Sequence, residues 1–170
     1  MPPQMSGPTS AEFRRALSRF ATGVTIVTVA QEDGEPRGMT ANAFASASLD
    51  PPLVLVCVDC RAHTHDRMRD AKHFGVSVLD EAQKPVAEFF AAPNSPLEQM
   101  ARLGIRFRRA ANGTPYLEGC LAHLICRRVA AHRAGDHTIY IGQAEHLSAR
   151  EGRPLLFFAG KYRGLAGGEQ

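Results

Sequence analysis

Long apolar runs, an excess of one charge and nucleotide-loop glycines are all missing from this chain, and each absence removes a class of protein. No apolar stretch approaches the ~20 residues of a membrane span, and the opening MPPQMSGPTS has neither the charged segment nor the apolar core of a secretory leader. The 20 basic and 17 acidic residues leave a formal charge of +3 and are scattered along the chain. That balance argues against a nucleic-acid or membrane surface and leaves small anions as the natural partners. No GxGxxG sequence is present, which argues against a Rossmann-type nicotinamide site. Internal repeats, low-complexity tracts and inter-domain linkers are lacking too. The expectation is a soluble, cytoplasmic protein with one domain over residues 10–165, flanked by disordered segments at 1–9 and 166–170.

Cysteine is scarce, with four in 170 residues. Cys57 and Cys60 form a CxxC, and seven histidines could complete a zinc site. A structural zinc site wants a second close pair, however, whereas Cys120 and Cys126 read as two positions on one face of a strand. Reduced thiols packed in a core are the expectation, with no metal ligand among them.

What is present reads as mainly β with flanking helices, an α+β chain. Thr9 followed by Glu12 matches a capping box, and Phe13, Ala16, Leu17 and Phe20 share one helical face ahead of Gly23. The β-branched run VTIVTVA (24–30) leads to a hairpin signal at Asp33-Gly34, and the returning strand enters the segment beginning at Gly38. Pro51 and Pro52 should separate that strand from the buried LVLVCVD. Residues 63–74 read as a short helix, FGVSVLD as a buried strand, and 81–90 as a helix turning Val86, Phe89 and Phe90 inward. From Ala91 to Leu103 regularity fails, the prolines, Asn94 and Ser95 suggesting a loop or a broken helix, and this long connection is a candidate lid or dimer contact. IRFRRA, LEGCLAHLICRRVAAHRA, HTIYIGQAEHLSA and LLFFAGKYRGL then alternate short strands with turns, the pattern of a small antiparallel barrel.

The densest signal is GMTANAFASASLDPPLVLVCVD, Gly38 to Asp59. Thr40, Asn42, Ser46 and Ser48 alternate with Ala41, Ala43, Ala45 and Ala47, so a flat polar ligand could reach backbone N–H groups that larger side chains would shield. The same alternation also describes a plain solvated sheet face. Taken with FRRALSRFATGVTIVT, FGVSVL, GDHTIYIGQ and the closing GKYRGL, in that order over about residues 12–165, the chain resembles the flavin reductase family. The resemblance implies a Greek-key-like split β-barrel of the FMN-binding type, and a homodimer with the flavin in a groove near the subunit interface. It also implies hydride transfer from NADH or NADPH to FMN or FAD, and a partner monooxygenase that receives reduced flavin. At two positions the chain departs from the family's pattern: Asp59 and Ser77 stand where members commonly carry asparagine.

Such a reaction asks the protein for position and electrostatics, because the flavin carries the chemistry. Nicotinamide C4 must lie about 3–3.5 Å from flavin N5, and donors are needed near N1 and the C2 carbonyl, where negative charge accumulates. The backbone of 45–48 and the hydroxyls of Thr40, Ser46 and Ser48 are candidate donors, with Ala41, Asn42 and Ala47 in the same wall. The resemblance implies that Cys57 and Val58 edge the ring through backbone groups. Arg61 or Thr64 suits the flavin phosphate and Lys84 is a second candidate, ordinary exposed cations being the alternative for both basic residues. In Gly-Asp-His the glycine permits a tight turn and Asp136 can orient or charge the imidazole; the family places this histidine, His137, near the nicotinamide. Tyr162 and Arg163 offer an aromatic face and a guanidinium to cover the cofactors, or else pack in a core or dimer contact. Three other readings compete: a flavin-binding protein without turnover, a flavoprotein reducing another acceptor, and a zinc module built on the cysteines.

Overall fold

β-Branched and aromatic runs at period two build the sheet. In the computed structural model, which describes residues 7–92, 95 and 97–165, the strands are β1 (Thr22–Gly23), β2 (Thr25–Ala30), β3 (Pro36–Ala41), β4 (Phe44–Leu49), β5 (Pro52–Asp59), β6 (His73–Val78), β7 (Phe107–Arg109), β8 (Pro115–Leu117), β9 (Ala122–Ala134), β10 (His137–Ala149), β11 (Leu156–Phe158) and β12 (Lys161–Arg163). Helices α1 (Ser10–Leu17), α2 (His63–Asp70), α3 (Lys84–Ala91) and α4 (Leu97–Arg102) flank them, with a 3-10 turn at Glu81–Gln83 leading into α3. The expected disorder at 1–6 and 166–170, and Pro93, Asn94 and Pro96 of the expected lid, lie outside the described residues.

Seven strands form one antiparallel sheet in the order β3-β2-β6-β9-β10-β5-β4. Its two edge strands, β3 and β4, are consecutive in the chain and joined only by Asn42 and Ala43. Opposite edges can be joined by so short a link only if the sheet curls until they meet, which makes a barrel with a split where no ladder closes it. Inside lie Val27, Val29, Val54, Val56, Val58, Phe74, Val76 and Tyr140, capped by Met68 of α2. A second core, Val24, Ile26, Leu79, Val86, Phe89 and Ile105 among others, sits between the barrel and α3. β2 serves both cores, which is why five successive residues of it are buried. Each fully buried valine contributes roughly 1.5–3 kcal/mol.

Several expectations are corrected. The capping box at Thr9 forms, with Thr9 Oγ1 accepting from the Glu12 amide, so Thr9 belongs to the folded domain. α1 stops at Leu17 rather than running to Gly23, because the Ser18 carbonyl turns aside to accept from the Ala159 amide at 2.9 Å. No residue of α1 is buried: Phe13 is 60 % exposed and Phe20, just beyond the helix, 72 %. The Gly38 segment is not one strand but two, on opposite sheet edges. α2 ends at Asp70, since pairing with β2 and β9 draws Phe74 into β6. Leu97–Arg102 forms a helix, in keeping with the broken-helix reading of that connection, whereas Cys120 precedes β9 instead of sharing its face with Cys126. β9 and β10, at 13 residues each, are long rather than short. Glycine is required where they cross Phe74: a Cβ on Gly142 would overlap the Phe74 ring and lie 2.8 Å from Cys126 Cβ.

Candidate functional site

β4 is one of the two edges of the sheet, and its phase can be read from one bond. The Cys57 amide donates to the Ala43 carbonyl at 3.0 Å, so alternation points the odd-numbered residues of β5 toward β4 and the even-numbered ones toward β10. Ala45, opposite Leu55, therefore spends its amide and carbonyl on β5, while Phe44 and Ser46, opposite Val56 and Val54, present theirs on the open edge. The register then slips between Ser46 and Ser48, leaving Ala47 without a partner, a β-bulge that twists the strand. Ser46 and Ala47 are exposed and Ser48 is half-buried. Small side chains beside unpaired backbone donors form a wall that a flat, acceptor-rich ring system fits.

Other predicted residues divide into two corners. At the first, α3 crosses β3: Thr40 Oγ1 donates to the Ala87 carbonyl at 2.7 Å, and a Cβ on Gly38 would lie 3.0 Å from Phe90. This direction carries Lys84 toward the Asn42 end of β3 and thus toward the split. Lys84 pairs with Glu88 at 3.5 Å. Tyr162 packs against the core that holds Val86, Ala87 and Phe89 of α3, and burial, then the charge of Glu88, raises its phenol above the usual value. Tyr162 packs edge-on against Phe157 at 5.4 Å between centroids, and Arg163 is exposed beside it on β12.

The second corner is a lip formed by the turn after β5 and the tip of the β9–β10 hairpin. Asp59 and His137 are cross-strand partners, and the Cys60 amide donates to the Asp136 carbonyl at 2.9 Å. His137 Nδ1 lies 2.8 Å from Asp136 Oδ1, and that contact holds the Asp136 carboxyl below its ordinary range. Arg61 is gripped by Asp59: its amide and Nε reach Oδ1 at 2.8 and 3.1 Å, and Nη2 reaches Oδ2 at 2.8 Å. The guanidinium holds Asp59 far below the usual carboxylate range, with a smaller contribution from His137. Behind the lip, Thr138 Oγ1 is 3.0 Å from His65 Nε2 and 3.7 Å from Cys60 Sγ.

Four predicted contacts need correction. Thr40 has one hydroxyl proton and gives it to Ala87, so it is no free donor for a ligand. Ala41 is 6 % exposed and its carbonyl accepts from Thr25. Val58 is fully buried and its amide faces β10, while Thr64 is 3 % exposed, out of reach of a phosphate in solvent. The cysteines separate as well. Cys57 sits on the outer face of β5, where burial raises its thiol pKa, Cys60 turns to Thr138, and Cys120 and Cys126 are buried. Among the described residues no three His, Cys, Asp or Glu side chains are grouped to hold a metal ion. The Asp59 clamp went unrecognised in the sequence, although Asp-x-Arg after a strand is an Asx-turn signal. A separate concavity of about 270 Å³, lined by Gln83, Val86, Gly104, Ile105, Arg106 and Glu118, shares no residue with the wall or the lip.

This geometry can be set beside known proteins. The family described as flavin reductase like domain matches residues 17–166. An NADH-dependent flavin reductase of a Rhodococcus species is 47 % identical over 160 residues, covering 92 % of this chain and 87 % of the relative. The reductase component of a 4-nitrophenol and 4-nitrocatechol monooxygenase from Rhodococcus opacus is 38 % identical, covering 89 % and 79 % respectively. Among solved structures, an NADH:FAD oxidoreductase of Streptomyces globisporus C-1027 in complex with NAD and FAD fragments superposes with a TM-score of 0.85 at 36 % identity, covering 96 % of this chain and 98 % of the other.

Proposed function

This chain belongs to the flavin reductase family, and on that basis we propose how its residues divide the work of reducing a flavin. The protein is an NAD(P)H:flavin oxidoreductase: hydride passes from the nicotinamide to FMN or FAD, and the reduced flavin goes on to a monooxygenase. The observation that carries the assignment of roles is the free β4 edge, whose open backbone groups and small side chains lie on one side of β5 while the Asp136–His137 turn lies on the other.

In this reading the amides of Phe44 and Ser46, with the hydroxyls of Ser46 and Ser48, hold and orient the ring, and Ala47 keeps the approach open. Donors fixed in advance favour a ring whose N1 side gains charge. The Cys57 carbonyl and Asn42 border the same groove. Lys84, with Tyr162 and Arg163 beyond it, covers the phosphate end. His137, oriented by Asp136, positions the nicotinamide.

Outer surfaces favour a homodimer. β4 is exposed on both faces, Leu49 and Leu147 are 91 % and 68 % exposed, and the apolar face of α1 has no cover. A second copy would shield these and wall the groove. Four free thiols suit the reducing cytoplasm. The experiment is to titrate purified protein with FMN and FAD, follow NADH and NADPH oxidation with each, and record the mass by light scattering. Flavin binding without nicotinamide oxidation would instead mean a storage protein. Flavin retained through purification, with another acceptor reduced, would mean a prosthetic group.

A further inference from the structure

Two leucines lie on the core side of their strands with nothing over them. Leu49 stands opposite Pro52, and Leu147 opposite Leu124. Residues paired across a ladder share a face: Pro52 shares its face of β5 with the core residues Val54 and Val56, and Leu124 packs against the same core. Yet Leu49 is 91 % exposed and Leu147 68 %. The cause is a missing piece of sheet. β10 pairs with β5 only as far as Gln143, opposite Leu53; beyond it, β10 keeps β9 on one side and, among the described residues, has no strand on the other, so 145–149 are all exposed. Without β5 and β4 alongside, a notch of roughly 10 Å remains, two strand spacings wide. A helix with its side chains is roughly 10–12 Å across.

α1 is a helix of matching character with no seat in its own chain. It has eight residues, none of them buried, whereas a helix needs about 12–15 to be even marginally stable unaided in water. Phe13, Leu17 and Phe20 have the i, i+4, i+7 spacing of anchors that lie in a groove. Beside them Arg14, Arg15 and Arg19 are exposed, while Glu12 is spent on the capping box. The notch carries the opposite charge: Asp50 follows Leu49 and Glu151 lies just past β10, both exposed, and Arg150 turns back to Asp80 and the Gly119 carbonyl.

We infer that these two unfinished surfaces complete each other between copies: α1 of one chain seats Phe13, Leu17 and Phe20 in the notch of a second copy, against the partner's Leu49 and Leu147, with its arginines toward the partner's Asp50 and Glu151. The exchange is reciprocal about a two-fold axis. It deepens the homodimer reading and rests on it.

The test is the dimer dissociation constant of the full chain, from sedimentation over a dilution series, for wild type, Phe13→Ser/Leu17→Ser, Leu49→Ser/Leu147→Ser and an equimolar mixture of the two variants. All four side chains are exposed, so each variant should fold. Each loses both reciprocal contacts and should dissociate at least about a hundredfold more readily than wild type. In the mixture the intact arm of one chain meets the intact notch of the other, so the mixed dimer should be at least about tenfold tighter than either variant alone. Leu147→Lys, with the same expectation, replaces the notch variant if that melts early. A mixture that falls between the two variants overturns the inference, because arm and notch then do not meet. A wild-type dimer that neither variant loosens overturns it too, and leaves the homodimer standing. A monomeric wild type takes both down and leaves α1 to a partner of another kind.

Discussion

Where β9 meets β10, the ladder runs from Ala134 and His137 at the hairpin to Ala122 and Ala149 at its base. Where β3 meets β4 no ladder forms: the chain supplies two linking residues, Asn42 and Ala43, and the Ala43 carbonyl accepts from Cys57 of β5. The long seam buries Tyr140 and Cys126, and its strands are paired on both sides, β9 with β6 and β10 with β5 as well as with each other. The short seam leaves backbone groups of β4 unspent, and the small residues lie there. On the proposed assignment, stability and binding fall on different sides of one barrel, and each can be altered with the other as control.

The largest effect belongs to the long seam. Gly142→Val would drive a branched side chain into Phe74 and Cys126 and should cost roughly 3 kcal/mol, or about 6–12 °C in Tm for a chain of this size. A normal Tm, read by calorimetry, would show that this crossing can relax. Next is Ala47→Leu at the bulge. Disrupting one hydrogen bond to the flavin, worth roughly 1.5–3 kcal/mol when charge is involved, should weaken flavin binding at least about tenfold with the Tm unchanged. Equal loss of affinity and Tm would erase the distinction between the seams. Third, His137→Ala should raise the nicotinamide KM about threefold to tenfold with flavin Kd and turnover little changed, as expected when an interaction is equally strong in ground and transition states. A fall in turnover of ~100-fold with a new pH dependence would instead make it a proton-transfer group.

The smallest effect is a pH dependence at the lip. Asp59 and Asp136 are held below their ordinary pKa by Arg61 and His137 respectively. A depressed carboxylate stabilises the fold fully above its unfolded pKa and loses that contribution as pH falls through the folded value. Stability should therefore be flat above about pH 5 and decline slightly below pH 4. Both pairs are solvent-exposed and screened. Hydrogen exchange should show residues 59–62 and 135–137 loosening in acid while β9 and β10 stay protected; simultaneous loosening would mean that the lip is structurally part of the long seam.

Much of this was legible because periodicity and turn chemistry are local. The capping box at Thr9, the Asp33-Gly34 hairpin and the strands LVLVCVD and FGVSVL follow from a few residues each. What failed depended on distant neighbours. Thr40 and Ala41 suit a wall, the Val58 backbone a ring edge and Thr64 a phosphate, but α3 takes the Thr40 hydroxyl, Thr25 the Ala41 carbonyl, β10 the Val58 amide and the core Thr64, and nothing in their own segments says so. α1 shows the opposite error, since its amphipathic pattern predicts a buried face and no residue of the helix is buried within the chain. The lip was half legible. Gly-Asp-His gave the hairpin tip, while the fork between Asp59 and Arg61 needed the turn to bring them together.

The bulge at Ala47 has a bearing on solubility. β4 reads Phe-Ala-Ser-Ala-Ser-Leu, an exposed edge with no charge and no proline within it, and such an edge is a template on which another chain's strand can grow. Slipping the register at Ala47 bends that template, so a stranger's strand can match it on one side of the slip but not across it. The residue proposed to keep the wall open to a ligand therefore also works against growth of a foreign strand along the edge.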